Sequence, residues 1–342
     1  MSSTSHMRRE IREIPETVER LLLAGQANMT VAARALADHD PAFMISVARG
    51  SSDHAATYFK YASELMCGVP VASVGPSVAS IYGRRLKLAG SACLAVSQSG
   101  KSPDIVSMAR MAAEEGALTF ALTNHADSDL AQVGHHTLNL HAGSERSVAA
   151  TKTFVTSLVS ALWLLAEWRQ DAELLTAIRA LPEVLARAVE ADWSPLGAKM
   201  ANAQSVFCLG RGPAYAISNE AALKFKETCQ LHAESYSSAE VLHGPVSIVS
   251  PGFPVIALTA ADQAEASLVG VAEQIAEKGA EVFVTSDKVS KATHLPTART
   301  AHPLTDPISL IVSFYAMVEQ VAVARGINPD EPRHLQKVTE TV

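Results

Sequence analysis

The strongest constraint on the fold is a repeat within the chain. Two apolar, strand-like segments end in Arg-Gly, at Arg49 and at Arg211, which lie 162 residues apart (211 − 49). The turns that begin at Ser97 and Thr259 follow two further apolar segments and have the same spacing (259 − 97). Each turn is followed by a helix-like segment and then by another apolar run. The same offset at two landmarks predicts two copies of one structural unit.

Strands that alternate with helices of this length predict the α/β class, with parallel sheets covered by helices on both faces. We therefore expect two tandem doubly wound parallel-sheet domains of the flavodoxin-like, three-layer α/β/α kind. At 342 residues the chain is long enough for two such domains, and its 48% hydrophobic content suits well-buried sheets. The predicted segments are an N-terminal helical segment (1–30), a front copy (31–190), a rear copy (191–325) and a C-terminal tail (326–342).

The charge and cysteine content exclude several classes of partner. A formal net charge of −7 argues against nucleic acid and anionic membranes. The four cysteines form no CxxC pair, which favours reduced core residues of a cytosolic protein over a metal site or disulfides. No apolar run reaches the length of a membrane span, and the most apolar helix-like segment, 154–168, is interrupted by polar residues. The sequence thus predicts a cytoplasmic protein without a metal site.

The turn at Ser97 has the composition of an anion site. It reads S-Q-S-G-K-S over residues 97–102, with Ser102 as a predicted helix N-cap and Pro103 at the first helical position. Such a turn presents hydroxyl groups, backbone N–H groups and the positive end of a helix dipole to one point. It is not a P-loop, because Ala95 stands where the first glycine belongs. The alternative is an ordinary strand-to-helix connection that binds nothing.

The rear copy has lost these groups. Its turn, 259–264, reads T-A-A-D-Q-A, with few hydroxyls and with Asp262, whose charge would repel an anion. We therefore expect only the front copy to hold a phosphate, and expect it to be that of a phosphorylated small metabolite.

A charged pattern in the rear copy suggests proton-transfer chemistry. Glu220, Lys224 and Glu227 are spaced to lie on one face of a helix that follows the strand-end turn at Arg211. A carboxylate beside a lysine among apolar residues suits proton transfer at a carbon next to a carbonyl. The alternative is a solvated helix face with an ion pair. Taken alone, His243 lies between an apolar pair and Gly-Pro and is typical of a structural turn. The polar tail, taken alone, is typical of a frayed terminus.

Taken together, these motifs resemble the sugar-isomerase (SIS) domain family, in particular the isomerase part of glucosamine-6-phosphate synthase and its deaminase relatives. The resemblance covers nearly the whole chain and implies a pair of SIS-type domains. The motifs that carry it are S-Q-S-G (97–100), V-A-A-T-K-T-F (148–154), the 220–227 helix, E-V-L-H-G-P (240–245) and P-R-H-L-Q-K (332–337).

The resemblance also implies roles for individual residues. Glu227 would be the base that moves a proton between C1 and C2 of the sugar, with Glu220 and Lys224 as close support. His243 would open the sugar ring and, in this family, reaches in from the partner subunit, which implies a homodimer. Lys337 would close over the substrate, and no metal or organic cofactor is implied. The residues expected to bind the sugar 6-phosphate, its nearby hydroxyls and the sugar are Gly50, Ser51, Ser52, Ser97, Gln98, Ser99, Ser102, Val148 and Ala150.

Departures from the synthase pattern favour a stand-alone deaminase. About forty residues precede the first predicted strand, where the synthase carries a glutaminase domain. Ala150 replaces the usual serine, the lysine before His243 is missing, and no acidic residue stands near Val78. We therefore expect a glucosamine-6-phosphate deaminase. The alternatives are an isomerase-type subunit of glutamine–fructose-6-phosphate aminotransferase, a deaminase or deglycase of galactosamine 6-phosphate or fructosamine 6-phosphate, and a non-catalytic sugar-phosphate sensor.

Overall fold

A computed structural model describes residues 4–337 of the chain. The strands are β1 (Met44–Val47), β2 (Val71–Ser73), β3 (Ala92–Val96), β4 (Leu118–Thr123), β5 (His136–Asn139), β6 (Ser205–Gly210), β7 (His232–Ser237), β8 (Pro254–Ala257), β9 (Glu281–Val284) and β10 (Thr293–His294). The helices are α1 (His6–Arg12), α2 (Ile14–His39), α3 (Ser51–Cys67), α4 (Ser77–Ser80), α5 (Pro103–Glu114), α6 (Asp129–Val133), α7 (Lys152–Arg169), α8 (Ala172–Arg179), α9 (Leu181–Val189), α10 (Ser194–Asn202), α11 (Pro213–Cys229), α12 (Glu265–Glu277) and α13 (Asp306–Ala324). Two short 3₁₀ helices cover Glu240–His243 and Pro245–Ile248.

The described residues form two compact units. The front unit consists of Glu16–Glu145, Lys152–Arg179 and residues 336–337 of the tail, whereas the rear unit consists of residues 4–15, Arg146–Thr151 and Ala180–Leu335. The four segments predicted from the sequence stay a prediction. Residues 1–3 of the first segment and 338–342 of the tail lie outside the described residues.

The front unit is built on a five-stranded parallel sheet in the order β2-β1-β3-β4-β5. The central strands β1 and β3 are apolar except for Ser46 of β1, and they pair with Ile45 opposite Cys93. Every residue of both strands is buried, as expected of a parallel sheet that helices cover on both faces. Its core contains apolar residues of β1, β3 and α5. The predicted α/β class and doubly wound parallel sheet are thus confirmed for this unit.

The rear unit repeats this plan. Its five parallel strands follow the equivalent order β7-β6-β8-β9-β10. Helix α11 begins and ends 162 residues after α3 (213 − 51 and 229 − 67). The glycines that precede these two helices, Gly50 and Gly212, have nearly the same backbone conformation, with φ of 55° and 56°. The repeat predicted from two landmarks therefore extends to the beginning and end of a whole helix.

Helix α13 corrects one expectation. It has 19 residues and a mean hydropathy of 1.6 over its best 18-residue window, which is long and apolar enough to cross a membrane by these criteria alone. The statement that no run reaches this length, and that 154–168 is the most apolar helix-like segment, is therefore wrong. In the structure, 83% of this window is buried. A helix that is apolar on all sides and buried is typical of a core helix.

The backbone conformation and close packing of the turn after β3 can be tested at Gly100. Its φ of 63° is strained for any other residue, and a Cβ built there would lie 2.0 Å from the Oγ atom of Ser128. We expect Gly100→Ala to lower the free energy of unfolding by about 2–4 kcal/mol, because strain and overlap add. Urea unfolding measures the loss. The control is Gly270→Ala, within α12, where the new methyl group meets nothing within 4 Å and should be neutral or stabilising. Equal effects of the two substitutions would contradict this account of the turn.

Candidate functional site

A polar cavity lies where β1 and β3 of the front unit end. Its volume is about 130 Å³, enough for a phosphate group, and it is lined by residues at and after the ends of these two strands together with one residue of the tail. These residues are Arg49, Ser52, Val96, Ser97, Gln98, Ser99, Ser102, Ile105 and Lys337. We call this cavity the anion pocket. It brings together six of the predicted site residues, whereas Gly50 and Ser51 precede Ser52 at the start of α3 without lining it.

The hydroxyl groups of the anion pocket remain able to donate. The Oγ atoms of Ser97 and Ser99 accept hydrogen bonds from the N–H groups of Gly100 and Lys101, at 3.2 and 3.3 Å, and so keep their own protons available. Ser102 is the N-cap residue of α5, as predicted, but its side chain makes no capping hydrogen bond. An N-cap hydroxyl that does not cap its own helix is free to bind a ligand. Together with the N-terminus of α5, these groups suit a phosphate.

The positive charge of the anion pocket comes from Arg49 and Lys337. The guanidinium of Arg49 forms an ion pair with Asp104, whose carboxylate is fully buried in the first turn of α5. The buried carboxylate fixes the position of Arg49, while about half of the arginine side chain stays exposed. This leaves a fixed cation at the edge of the pocket. Sequence reasoning did not select Arg49, although its recurrence before glycine at Arg211 was visible.

Lys337 is held at the pocket by Glu145. Its Nζ lies 2.9 Å from Oε2 of Glu145, a buried residue that also accepts hydrogen bonds from the N–H and the hydroxyl of Thr153 at 3.1 and 2.7 Å. Burial raises the pKa of Glu145, but the Lys337 ammonium and the bonds from Thr153 outweigh it, and the net pKa lies below the ordinary value. Glu145 is thus ionised at neutral pH. No motif in the sequence identified it.

We expect Glu145→Gln to lower the free energy of unfolding at pH 7 by about 1–3 kcal/mol, because a buried charge-assisted contact is lost. The folded-state pKa of Glu145 is lowered, so its contribution is present above the ordinary value of 4.5 and is lost as the pH falls through the folded-state pKa. Urea unfolding at pH 7 and pH 3 should therefore show a difference that shrinks in acid. A double-mutant cycle with Lys337→Met isolates the pair, and a coupling energy near zero would contradict the contact.

The charged helix of the rear unit forms a chain of four side chains. The Nζ atom of Lys224 lies 3.0 Å from Oε1 of Glu220 and 2.7 Å from Oε2 of Glu227. The hydroxyl of Tyr315, on α13, donates to Oε1 of Glu220 at 2.9 Å. Lys224 and Glu220 are fully buried, whereas the Glu227 side chain is 20% exposed. Only the last carboxylate of the chain is therefore accessible. Tyr315 was missed by sequence reasoning, although a lone tyrosine in an apolar helix needs a partner for its hydroxyl.

The charges are not required by the fold. At the equivalent positions of α3, 162 residues earlier, the front unit has Tyr58, Ala62 and Leu65. The same helix in the same topology is thus built without them. The alternative of a solvated ion-pair face is also wrong, because two of the three side chains are fully buried. Burying charged side chains lowers stability unless each of them is paired. A buried charged network that the fold does not require therefore indicates a function.

The state of charge of this network follows from its geometry. Burial lowers the pKa of Lys224, but the two carboxylates outweigh it, and the pKa of Lys224 lies above its ordinary value. Lys224 is therefore an ammonium that orients Glu227 and is not itself exposed to a substrate. The position of Glu227 differs from what the sequence suggests. It is fourteen residues after Pro213, or about 21 Å along the helix, and so it is not beside the strand-end turn at Arg211.

The remaining predicted residues lie in the rear unit. His243 is exposed at the end of a 3₁₀ helix, and it is followed by Gly244 with φ of 149°. Val148 and Ala150 are half-buried in an irregular segment, where the N–H of Val148 donates to the carbonyl of Asp330 at 3.4 Å. His243 is therefore accessible to solvent, and Val148 and Ala150 are partly accessible. Their roles stay predictions. Among the described residues no cluster of histidine, cysteine or carboxylate side chains could hold a metal ion.

The two parallel sheets, with a pocket rich in serines at the carboxyl edge of the first, define a class of doubly wound parallel α/β proteins. The SIS domain family matches the chain twice, over residues 39–167 and 199–325. The chain therefore belongs to the SIS domain family.

Relatives and solved structures agree with this assignment. The chain is 30% identical over 338 residues to glutamine–fructose-6-phosphate aminotransferase [isomerizing] of Sulfolobus acidocaldarius, covering 97% of this chain and 56% of the relative. It thus spans about half the length of the curated relatives it matches. A crystal structure of a candidate phosphosugar isomerase from Silicibacter pomeroyi DSS-3 is 60% identical, with a TM-score of 0.93 over 96% of this chain and all of that one. Glucosamine-6-phosphate deaminase of Thermotoga maritima, 20% identical with a TM-score of 0.77, covers 98% of this chain and 100% of its own and shows the shared fold alone.

Proposed function

We propose that the protein is an aldose–ketose isomerase of an amino-sugar 6-phosphate, and in particular a glucosamine-6-phosphate deaminase that releases ammonia and fructose 6-phosphate. The observation that carries the proposal is the network of Glu220, Lys224 and Glu227, which exposes one oriented carboxylate. The equivalent helix of the front unit has uncharged residues at these three positions. Such a carboxylate is the group that proton transfer next to a carbonyl needs.

The phosphate would be bound in the anion pocket by the hydroxyls of Ser97, Ser99 and Ser102 and by the charges of Arg49 and Lys337. Hydroxyl and backbone donors bind a phosphate without a large excess of positive charge, which suits a chain of net charge −7. A sugar held at its phosphate end loses much of its freedom before the chemical step, and this contributes to catalysis.

The proposed reaction proceeds by proton transfer and hydrolysis. After ring opening, for which we propose His243 of the partner subunit in a homodimer, Glu227 removes the proton from C2 of the open-chain aminoaldose as O1 gains a proton. Glu227 then returns its proton to C1, and the nitrogen gives up one proton to become the C2 imine. Water adds to the imine carbon, and the C–N bond breaks to leave the C2 ketone and ammonia. Lys224 and Glu220 act through Glu227 and are positioning residues.

The test is ammonia release from glucosamine 6-phosphate in the absence of glutamine. We expect stoichiometric ammonia and fructose 6-phosphate, measured by an enzymatic ammonia assay and by mass spectrometry. Galactosamine 6-phosphate and fructosamine 6-phosphate, assayed in parallel, identify the preferred amino sugar. Binding of these compounds without turnover of any of them would refute the proposal and favour a sensor.

A second candidate function is supported by the names of the curated relatives. They are glutamine–fructose-6-phosphate aminotransferases, and the chain is 30% identical to several of them. In this case the protein would form glucosamine 6-phosphate from fructose 6-phosphate when ammonia is supplied. The two functions are opposite directions of one equilibrium, and an enzyme accelerates both, so the Michaelis constants decide between them. A low KM for glucosamine 6-phosphate with a high KM for ammonia favours the deaminase, and the reverse favours synthesis.

A further inference from the structure

The strand-end turn of the rear unit contains a carboxylate in place of a ligand. This turn follows β8 and is equivalent to the Ser97 turn of the front unit. Its backbone N–H at Ala261 donates to Oδ2 of Asp306 at 2.8 Å. The equivalent residue in the front unit, 162 positions earlier, is Ser99, which lines the anion pocket. Within residues 4–337, the N–H of Ser99 donates to no backbone carbonyl.

Asp306 is bound as an anion would be. Besides the N–H of Ala261, its carboxylate accepts hydrogen bonds from the N–H and the hydroxyl of Thr300, both at 2.8 Å, and from the Arg299 guanidinium at 2.9 Å. Its side chain is only 3% exposed. Two backbone N–H groups, one hydroxyl and one guanidinium form the donor set of a phosphate or sulfate site.

The position of Arg299 is fixed by contacts other than its ion pair with Asp306. Its guanidinium also donates to the carbonyl oxygens of Thr259 and Thr285, at 3.1 and 2.7 Å, and lies 3.6 Å from Glu265. The two carbonyl contacts connect the ends of β8 and β9, so that the arginine stays in place independently of Asp306. The neighbouring carboxylates of Glu265 and Asp262 oppose a second negative charge. A free anion in this position would therefore be bound weakly.

We propose that Asp306 is a built-in anion that occupies, in the rear unit, the position that the front unit leaves open for a phosphate. The duplicated fold thus has two equivalent strand-end anion sites, of which one binds an external ligand and the other is filled by the chain. This inference does not depend on the reaction that the protein catalyses. It predicts one phosphate per chain in the natural protein and a second, weak site for inorganic phosphate or sulfate once the carboxylate is removed.

The test compares the natural protein with Asp306→Ala and with Asp306→Ala/Arg299→Met. Melting temperatures are measured with 0 and about 50 mM phosphate, with chloride at matched ionic strength. We expect Asp306→Ala to melt lower without phosphate and to gain more from phosphate than the natural protein does, by several degrees, since a ligand that binds only the folded state stabilises it. The extra gain should vanish in the double variant. Equal gains in the natural protein and in Asp306→Ala would overturn the proposal.

A second measurement uses the natural protein and does not require a variant to fold. Crystals soaked in sulfate should show an anion beside Ser99 and none in contact with Arg299. A sulfate bound to Arg299 while Asp306 is in place would overturn the proposal, because the site would then not be filled. The melting and soaking experiments together distinguish a site that is filled by Asp306 from a turn that has lost the groups needed to bind an anion.

Discussion

Replacing Glu227 by glutamine should lower kcat for ammonia release about a hundredfold to ten-thousandfold, with little change in the affinity for sugar phosphate. A positioned general base contributes a factor of this size, and the amide of glutamine cannot accept the C2 proton. The substitution preserves the shape of the side chain and one oxygen that can accept from Lys224, which lies 2.7 Å away in the natural protein. Steady-state kinetics and calorimetric titration with glucosamine 6-phosphate measure the two quantities.

The control for this substitution is Glu277→Gln, the same chemical change at an exposed carboxylate of the rear unit. It should leave kcat within a factor of two. Exchange of the C2 proton with deuterated water gives a second readout, because it reports the proposed step directly and is lost only if the base is lost. Turnover by Glu227→Gln at the natural rate would refute the assignment of Glu227, whatever the overall reaction.

The fold could be predicted because the two copies of the repeat share short local sequence patterns. A strand followed by Arg-Gly fixes a turn with a positive φ at Gly50 and Gly212, and the helices after these turns have the same length. Parallel pairing follows from the alternation of strands and helices, since a βαβ connection leaves few other arrangements. The serine turn was likewise predictable, because a strand, a hydroxyl-rich turn and a helix with proline at its first position are local signals.

The partners of the site residues could not be predicted because they are distant in the sequence. Glu145 and Lys337 are 192 residues apart, and neither position has a pattern that identifies the other. Tyr315 and Glu220 are 95 residues apart. The side chain of Asp306 reaches a turn 45 residues before it. In each case the contact results from tertiary packing, which sequence periodicity does not determine. Charged residues that look solvated in the sequence, such as Lys224, become buried for the same reason.

These contacts share a physical logic. A buried carboxylate is tolerated only when it is paired, and each of the buried carboxylates Asp104, Glu145 and Glu220 has a cation beside it. The two in the front unit hold Arg49 and Lys337 at the anion pocket. The one in the rear unit holds Lys224, which in turn orients Glu227. The acidic residues of this chain thus fix its cations, and the proposed phosphate site needs no net positive surface.

The buried lysine should therefore be essential for stability. Replacing Lys224 by methionine, which has a similar volume, removes the ammonium that lies between Glu220 and Glu227, and Glu220 is fully buried. We expect a loss of about 3–5 kcal/mol in the free energy of unfolding at pH 7, the usual cost of removing one partner of a buried ion pair. The loss should shrink toward pH 5, because proton binding removes negative charge that the variant no longer pairs.

Urea unfolding at pH 5 and pH 7 measures both effects. The control is Lys226→Met, an exposed lysine on the same helix, which should change the free energy of unfolding by less than about 0.5 kcal/mol. The double variant Glu220→Gln/Lys224→Met should recover part of the loss, because the amide removes the buried charge and keeps an acceptor for the Tyr315 hydroxyl. A Lys224→Met protein as stable as the natural one at both pH values would show that the three charges are not a buried network, and the basis for assigning Glu227 as an oriented base would be lost.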